Sequence, residues 1–432
     1  MEKYILNYLR ENSEDALVSK YIYLLKNDLD TLLYGNDPSF KGRKFHIPSK
    51  YELWKSDSKL KIKNLIKLHT NPLGDIKSNK NLKNVLSTMY FGSEDDFLKY
   101  GFRITSTVLR PLSNIIDAKP FKEVRNLYHS ILRSGSFKEM LRKEKLLRLE
   151  SLKDDIAEVL IQNDIKAFFT HNDEEFCNKY LIDICKEARI PSFEFLHGLP
   201  GVYSQAINSS TDYFCVWGKK IKENYLNIGF DSNRIFVTGA PRFSNFNKKI
   251  EHLRNSFEDV LVATSTACIW IQHGWVMDEF GDQNDSLFIL YIYMVEHVLK
   301  KLGVKHARLR PHQTVEKKWV AKYIDTSFYS FDYESVNDSL SHTSMVIGPH
   351  STFLLDAMLN GVNYYVFDPT DNGSTLRGEK IVPPFDGRND FIHLARTEKE
   401  LMDNIKNRVT NDLRFLDGYL HPFDLSPLIG LI

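Results

Sequence analysis

Residues 344–369, SMVIGPHSTFLLDAMLNGVNYYVFDP, contain the pattern that decides the fold. A short apolar strand ends at Gly348, and the turn 349–352 supplies hydroxyls that are suited to cap a helix. Residues 353–359 then place apolar side chains at helical spacing, and residues 364–367 form another apolar strand. The pattern predicts a β-turn-α-β unit, the building block of a parallel sheet with helices on its faces.

The turn of this unit is also a candidate phosphate site. It would hold an anion through the start of the helix and the side chains around Gly348, His350, Ser351 and Thr352. A simpler alternative is that Ser351 and Thr352 only cap the helix. The neighbouring segments favour the phosphate site.

Outside this stretch the chain alternates strands and helices. The pattern predicts a first buried strand at 84–91 and a charged helical region at 121–162. It then predicts strands at 165–170, 192–196, 213–217, 234–237, 305–309 and 328–331, helices at 174–188, 219–228, 286–302, 315–323 and 336–341, and a long apolar run at 260–271. Strands separated by helices imply right-handed crossovers and parallel sheets.

A chain of 432 residues exceeds the size at which one core usually keeps growing, so two domains are expected. The polar stretch 245–258 breaks the alternation and is the predicted linker. We therefore expect an α/β protein with two Rossmann-like doubly wound domains facing a central cleft. The predicted units are residues 1–250, with a helical N-terminal extension, residues 251–410, and a tail at 411–432 that returns to the first domain.

The composition is that of an ordinary globular protein, with 42% apolar and 26% charged residues and a net charge of +1. This balance gives no general attraction to nucleic acid. The basic region between Lys41 and Lys83 is either a solvated helical face or a dock for anionic lipid heads. The sequence has neither the apolar core of a signal peptide nor an 18-residue apolar run, which predicts a cytoplasmic protein with at most peripheral membrane contact.

The cysteines and the missing motifs narrow the chemistry further. The four cysteines lack zinc-type spacing, so buried free thiols are expected. The sequence contains no GxGxxG after the first strand, no GxxxxGK[ST], no GxSxG and no HExxH. Chemistry without a metal or a cofactor is therefore predicted, since N–H groups and basic side chains can stabilise a departing phosphate.

In the first half, polar residues follow predicted strands. His197 and Gly198 come directly after the strand at 192–196, where an imidazole can act as a general base. Asp173 and Glu174 follow the strand at 165–170 and supply either a base or first-turn acids that favour the helix dipole. Arg242 ends the segment TGAPR and is suited to reach a phosphate or to fix a loop.

In the second half, Arg310 and His312 follow the strand at 305–309. A guanidinium offers fixed donors for a phosphate, and a histidine can donate to a leaving phosphate. Because Ser351 and Thr352 occupy the corresponding end of a later strand, the sequence predicts one donor site that combines these four residues.

Taken in order, residues of about 165 to 370 resemble GT-B glycosyltransferases of bacterial surface-polysaccharide assembly. His197-Gly198 followed by TGAPR at 238–242 looks like the HG and TGxPR segments of the CDP-glycerol polymerases of teichoic acid synthesis. Arg310-Pro311-His312 with Ser351-Thr352 is similar to the HP and S-[S/T] motifs by which bacterial sialyltransferases and polysialyltransferases hold CMP. Gln313 stands where that family has proline, and the segment with Asp173 and Glu174 lacks its glycine.

This resemblance implies a nucleotide-sugar-dependent transferase. The second domain would hold the donor, a CMP-activated sialic or other nonulosonic acid, a UDP-hexose or a CDP-polyol. The first domain would present a hydroxyl of a capsule, O-antigen or other lipopolysaccharide glycan, or of a glycolipid, with His197, Asp173 or Glu174 taking its proton. The enzyme would work on the cytoplasmic face of the inner membrane. A sugar-nucleotide epimerase of the same architecture and a non-catalytic scaffold are the alternatives.

Overall fold

Two parallel β-sheets organise the chain in the computed structural model. The structure describes residues 8–11, 13–29, 55, 82–89, 94–112, 114–173, 175–200, 203, 209–244, 250–264, 285–312, 315, 317–371, 374–375 and 382–432. The basic region between Lys41 and Lys83 lies almost wholly outside these residues, as do Cys268 and most of the apolar run at 260–271.

The first sheet has seven strands, all parallel, in the order β3-β2-β1-β4-β5-β6-β7. They are β1 Lys83–Ser87, β2 Phe102–Thr107, β3 Ile115–Ile116, β4 Ile165–Thr170, β5 Ser192–Phe195, β6 Tyr213–Val216 and β7 Ile235–Val237. Strands β2 and β3 are added on one side of β1, and strands β4 to β7 on the other side. The strand order therefore reverses between β1 and β4. In open α/β sheets ligands bind outside the carboxyl ends of the strands at such a reversal.

The second sheet has six parallel strands in the order β10-β9-β8-β11-β12-β15. They are β8 Val260–Ala263, β9 Ala307–Arg310, β10 Tyr329–Phe331, β11 Met345–Gly348, β12 Tyr364–Phe367 and β15 Leu394–Ala395; β13 Thr370–Asp371 and β14 Ser374–Thr375 form a separate antiparallel pair. Numbered from β8, this order is 3-2-1-4-5-6, the classic dinucleotide-binding topology, with its reversal between β8 and β11.

Helices connect the strands. The α-helices of the described residues include Ala16–Leu24, Asp95–Leu98, Lys119–Leu132, Phe137–Met140, Lys143–Gln162, Phe176–Glu187, Lys219–Asn227, Asp285–Lys301, Lys317–Val320, Val336–His342, Phe353–Leu359, Glu398–Lys406 and Arg414–Tyr419, and 3-10 turns occupy Pro241–Phe243 and Ser426–Leu428. No helix in the described part of the chain is both long enough and apolar enough to span a bilayer.

The opening stretch folds as predicted. All residues of β11 and β12 are buried, as expected for parallel strands covered on both faces. The helix Phe353–Leu359 lies between them, and Gly361 ends it at a φ of +69°, a conformation that glycine adopts without strain.

Other elements differ from prediction. The first strand is β1, Lys83–Ser87, which is shorter than 84–91, and the helix predicted at 315–323 is the single turn Lys317–Val320. Strands β2, β3 and β15 were not predicted from the sequence. Polar residues interrupt the apolar pattern of β2, FRITST, and β15 has only two residues, too few to show a period.

An apolar cluster joins the two sheets and their helices. It combines Trp217 and Phe243 from the segments around β6 and β7 with Leu354, Phe415 and Tyr419 from the second half of the chain. We call the units built on the first and second sheets the first and second lobes. Burial of aromatic surface between them stabilises their contact.

The C-terminal segment lies on the first lobe. The amide of His421 donates to the carbonyl of Trp217 over 2.7 Å, and the amide of Asp424 donates to that of Thr238 over 2.8 Å. Leu425 and Leu428 are fully buried in a core cluster of the first sheet. The last residues therefore connect the end of the chain to the carboxyl ends of β6 and β7.

Candidate functional site where the two sheets meet

The carboxyl ends of the two sheets contact each other. Leu199, in the loop after β5, donates its amide to the Thr352 hydroxyl over 2.8 Å, and Thr352 follows β11. Arg242, after β7, donates to both oxygens of Asp356 at 2.7 and 2.8 Å. Since ligands of open α/β sheets bind at carboxyl ends, this meeting zone is the candidate site.

The loop after β11 is tightly fixed at its start. A Cβ on Gly348 would lie 2.7 Å from Cζ of Tyr364 and closer still to its hydroxyl, which donates to the carbonyl of Pro349 over 2.7 Å. Tyr364 is fully buried, so the ring cannot move aside. Gly348 is therefore required for this close approach, and its predicted contact with a donor stays a prediction.

The helix after this loop is short. Phe353–Leu359 has seven residues, and the Ser351 hydroxyl accepts the amide of Phe353 over 3.2 Å. The Ser351 side chain thus makes a capping hydrogen bond, as predicted. Thr352 occupies the N-cap position itself, but its side chain makes no such bond. Because one amide of the first turn already has a hydrogen-bond partner, an anion at this position would be bound mainly by side chains.

Thr352 joins the lobes. Its hydroxyl accepts the amide of Leu199. A Cβ added to Gly198 would lie 2.9 Å from the same hydroxyl oxygen. Glycine at 198 therefore allows the loop after β5 to approach the second lobe. In this conformation the Thr352 hydroxyl is an inter-lobe acceptor, and its predicted contact with a donor phosphate stays a prediction.

Arg242 and Asp356 form an ion pair between the lobes, in which one guanidinium nitrogen, Nη2, contacts both carboxylate oxygens. The Asp356 side chain is only 10% exposed and that of Arg242 is 43% exposed. Burial raises the pKa of Asp356, and the positive charges of Arg242 and Arg310 oppose that rise. The guanidinium of Arg242 is thus bound to the carboxylate of Asp356. The sequence analysis had offered two partners for it, a phosphate or a loop.

His197 lies at this junction. It follows β5 by two positions and its side chain keeps an exposed surface, yet desolvation by the surrounding protein lowers its pKa, and the charge of Arg242 lowers it further. A histidine with a pKa below 6.5 is neutral at pH 7, which is the state a general base needs.

A second histidine lies beside His197 and was missed as a site residue. His171 is the first residue after β4, and its ring centroid is 5.8 Å from that of His197. Its Nδ1 lies 3.2 Å from the carbonyl oxygen of Phe195, which can only accept, so Nδ1 carries a proton there. The sequence did contain a signal for His171, since it directly follows the predicted strand at 165–170.

The acidic residues after β4 have a different setting. The Asp173 carboxylate accepts the amide of Ser210 over 2.7 Å and its hydroxyl over 3.0 Å. These bonds connect Asp173 to the loop before β6, and Glu174 lies outside the described residues. The structure brings His171, rather than Asp173, into contact with His197.

Arg310 and His312 follow β9 in the second lobe. Arg310 donates to Asp332 over 2.6 Å and to the carbonyl of Glu334 over 3.1 Å, and its guanidinium lies 5.9 Å from the ring centroid of Phe353. His312 is half-buried, and its carbonyl accepts the amide of Val315 over 2.8 Å. Arg310 is thus near the start of the helix after β11, already paired with a carboxylate.

Within the described residues, one group of carboxylates has the spacing of metal ligands: Glu150, Asp183 and Glu187. Two of them are already paired, since Lys20 lies 2.8 Å from Glu150 and 2.9 Å from Asp183, and the buried Lys153 contacts both. The group lies on helices of the first lobe, away from the carboxyl ends of the strands. An ion-pair network accounts for it.

No protein-family model matches the chain, and no curated protein matches it. Similar solved structures include a UDP-GlcNAc 2-epimerase from Neisseria meningitidis bound to UDP-GlcNAc, at 10% identity and a TM-score of 0.44, covering 81% of this chain and 98% of that one. The wall teichoic acid polymerase TagF has 13% identity, a TM-score of 0.40 and coverage of 89% and 96%. Anabaena HepE in complex with UDP and glucose has 11% identity, a TM-score of 0.41 and coverage of 81% and 95%.

The topology of the chain itself defines its class. Two Rossmann-like parallel sheets, each reversed after its third strand, meet through their carboxyl ends. This is the GT-B architecture, as the sequence predicts.

Proposed function

We propose that the protein is a glycosyltransferase that moves a sugar from an activated nucleotide to a hydroxyl of a bacterial surface glycan or glycolipid. The observation that carries the proposal is the contact between the loop of His197 and the loop after β11. A neutral imidazole and the loop proposed to hold the donor phosphate thus lie on opposite lobes of one junction.

In this proposal the second lobe holds the donor through Arg310, His312, His350, Ser351 and Thr352, with Gly348 shaping the loop. His197 takes the proton of the acceptor hydroxyl, supported by His171. The bond between the sugar and the phosphate oxygen breaks, and its electron pair stays on that oxygen. Basic side chains around the phosphate stabilise the developing charge, so no metal is required.

The resemblance of the motifs makes a CMP-activated sialic or other nonulosonic acid the first donor to test, before a UDP-hexose or a CDP-polyol. We place the enzyme on the cytoplasmic face of the inner membrane, where lipid-linked acceptors are found. An epimerase acting on the nucleotide sugar without an acceptor is the alternative, because the GT-B fold does not decide between the two reactions.

The proposal predicts nucleotide-dependent stabilisation. A thermal-shift panel of CMP, CDP, UDP and GDP should identify one base, since ligand at 100 times its dissociation constant stabilises the folded state by about 2.7 kcal/mol. Loss of a leaving-group donor in Ser351→Ala or His312→Ala should lower turnover by roughly tenfold to a thousandfold. Absence of any shift would favour a non-catalytic scaffold, and conversion of the donor without acceptor would favour the epimerase.

A second prediction concerns pH. Because desolvation and Arg242 lower the pKa of His197, kcat/KM should fall only as the pH drops below 6.5, where the base becomes protonated. His197→Gln should lower kcat by roughly 10²- to 10⁴-fold and abolish this acid limb. His306→Gln is the control, because His306 is exposed and precedes β9 at the opposite edge of its sheet. An acid limb that persists in His197→Gln would assign the base elsewhere, with His171 next to test.

A further inference from the structure

A histidine and an aspartate contact each other at the carboxyl edge of the second sheet. His350 follows β11 by two positions, and Asp368 directly follows β12, the parallel neighbour of β11. His350 Nδ1 and an Asp368 carboxylate oxygen are hydrogen-bonded. Their side chains are only 12% and 4% exposed. His350 lies in the loop after β11 that the proposed function assigns to the donor phosphate, and Asp368 begins the neighbouring loop after β12.

The surroundings fix the position of Asp368. Its amide donates to the carbonyl of Ala395 over 3.0 Å, which continues the pairing of β12 with β15. On the other side of the pair, the ring centroid of Phe385 lies 5.5 Å from that of His350. Arg396 donates to the carbonyl of Phe385 over 3.0 Å and connects this ring to β15. The imidazole is thus held between a carboxylate and an aromatic ring.

The chemistry of the contact follows from the partner. An ionised carboxylate only accepts hydrogen bonds, so Nδ1 carries the proton between the two groups. A carboxylate at Nδ1 also favours the imidazolium over the neutral ring and fixes the ring orientation. Nε2 of this imidazolium is then a charged donor, and charge-assisted bonds to phosphate are roughly twice as strong as neutral ones.

We propose that His350 is the group that binds and protonates the leaving phosphate, and that Asp368 is its positioning residue. This inference rests on the proposed function. The bond between the anomeric carbon and the phosphate oxygen breaks, its electron pair stays on the oxygen, and Nε2 of His350 delivers a proton to that oxygen. The acceptor oxygen forms the new bond to the anomeric carbon while its proton passes to His197, and solvent then restores both histidines.

His350 is therefore the proton donor to the leaving oxygen, and His312 remains a hydrogen-bond donor to the phosphate. A specific pattern separates charge from orientation. In Asp368→Asn the amide oxygen still accepts from Nδ1, so the ring stays oriented while the negative charge is lost. In Asp368→Ala both are lost.

The test is calorimetric titration of the full-length protein with CMP against cytidine and with UDP against uridine, together with turnover. His350→Gln and Asp368→Ala should weaken nucleotide binding by roughly tenfold to a hundredfold and leave nucleoside binding within twofold, because only the phosphate contact is removed. Asp368→Asn should weaken nucleotide binding less than Asp368→Ala, because the ring stays oriented, and should turn over at least tenfold more slowly than wild type. The control is His393→Gln, since His393 is exposed and lies before β15 at the other edge of the same sheet.

Two results would overturn the inference while leaving the proposed function intact. One is nucleotide affinity and turnover within twofold of wild type in His350→Gln. The other is an equal loss of nucleotide and nucleoside affinity in His350→Gln and Asp368→Ala, which would mean that the pair only supports the fold. If the wild-type protein binds neither CMP nor UDP, the proposed function fails and this inference fails with it.

Discussion

Replacing Gly239 with alanine is expected to release the C-terminal segment from the first lobe and to destabilise the protein by about 3–5 kcal/mol. Gly239 has a φ of +70°, where a side chain costs about 1–2 kcal/mol. Its new Cβ would also lie 2.7 Å from the carbonyl oxygen of Pro422 and closer still to that of His421. These are backbone atoms, so the segment has to move.

The matched control is Gly229→Ala. Gly229 has a φ of +95° but no atom within 4 Å of its would-be Cβ, so this change reports backbone strain alone. The two variants should be compared by thermal unfolding and by hydrogen exchange at the amides of His421 and Asp424, which donate to the first lobe. Equal losses of stability, with those amides still protected in Gly239→Ala, would show that the close contact has no energetic role.

The second large effect is expected from the inter-lobe ion pair. Arg242→Ala leaves the largely buried Asp356 carboxylate without its partner, and a buried charged group left unpaired costs about 3 kcal/mol. Asp356→Asn leaves the half-exposed Arg242 in contact with water and should cost about 1 kcal/mol. Arg242→Ala should also lower turnover at least tenfold, because the loops of His197 and Thr352 lose an adjacent connection.

The loss in Arg242→Ala should depend on pH in a defined direction. Burial raises the folded-state pKa of Asp356 above its unfolded value of about 3.8, so the folded protein binds more protons than the unfolded one. Stability therefore falls as the pH rises from the unfolded pKa through the folded pKa, and removing the opposing charge of Arg242 enlarges this fall. Thermal unfolding between pH 4 and pH 8 measures it.

The double variant completes the test. Arg242→Ala combined with Asp356→Asn should be more stable than Arg242→Ala alone, since it no longer buries an unpaired carboxylate. Stability losses that simply add, together with a flat pH dependence in Arg242→Ala, would contradict a coupled pair. The same double variant also separates the effect of the charge pair on turnover from its effect on stability.

Local patterns carried most of the information about the elements near the candidate site. The strand-turn-helix-strand order of 344–369 followed from periodicity, because each element is built from neighbours in sequence. His197, Arg310 and Ser351 were found by their positions after strands, since parallel strands expose their carboxyl ends at one edge. His171 has the same position and could have been found by the same argument. Asp368 also follows a predicted strand and could have been found in the same way, but its contact with His350 depends on the side-chain packing between the ends of β11 and β12.

The sequence by itself determined that this chain forms two parallel α/β sheets and which loops lie at their carboxyl edges. Only the tertiary structure decided which of those loops meet. Arg242 pairs with Asp356, Leu199 with Thr352, His350 with Asp368 and Gly239 with the C-terminal segment. Periodicity is a property of residues a few positions apart, whereas each of these pairs depends on strand register or on the docking of two lobes. Such pairs form only when distant parts of the chain bury their apolar surfaces together.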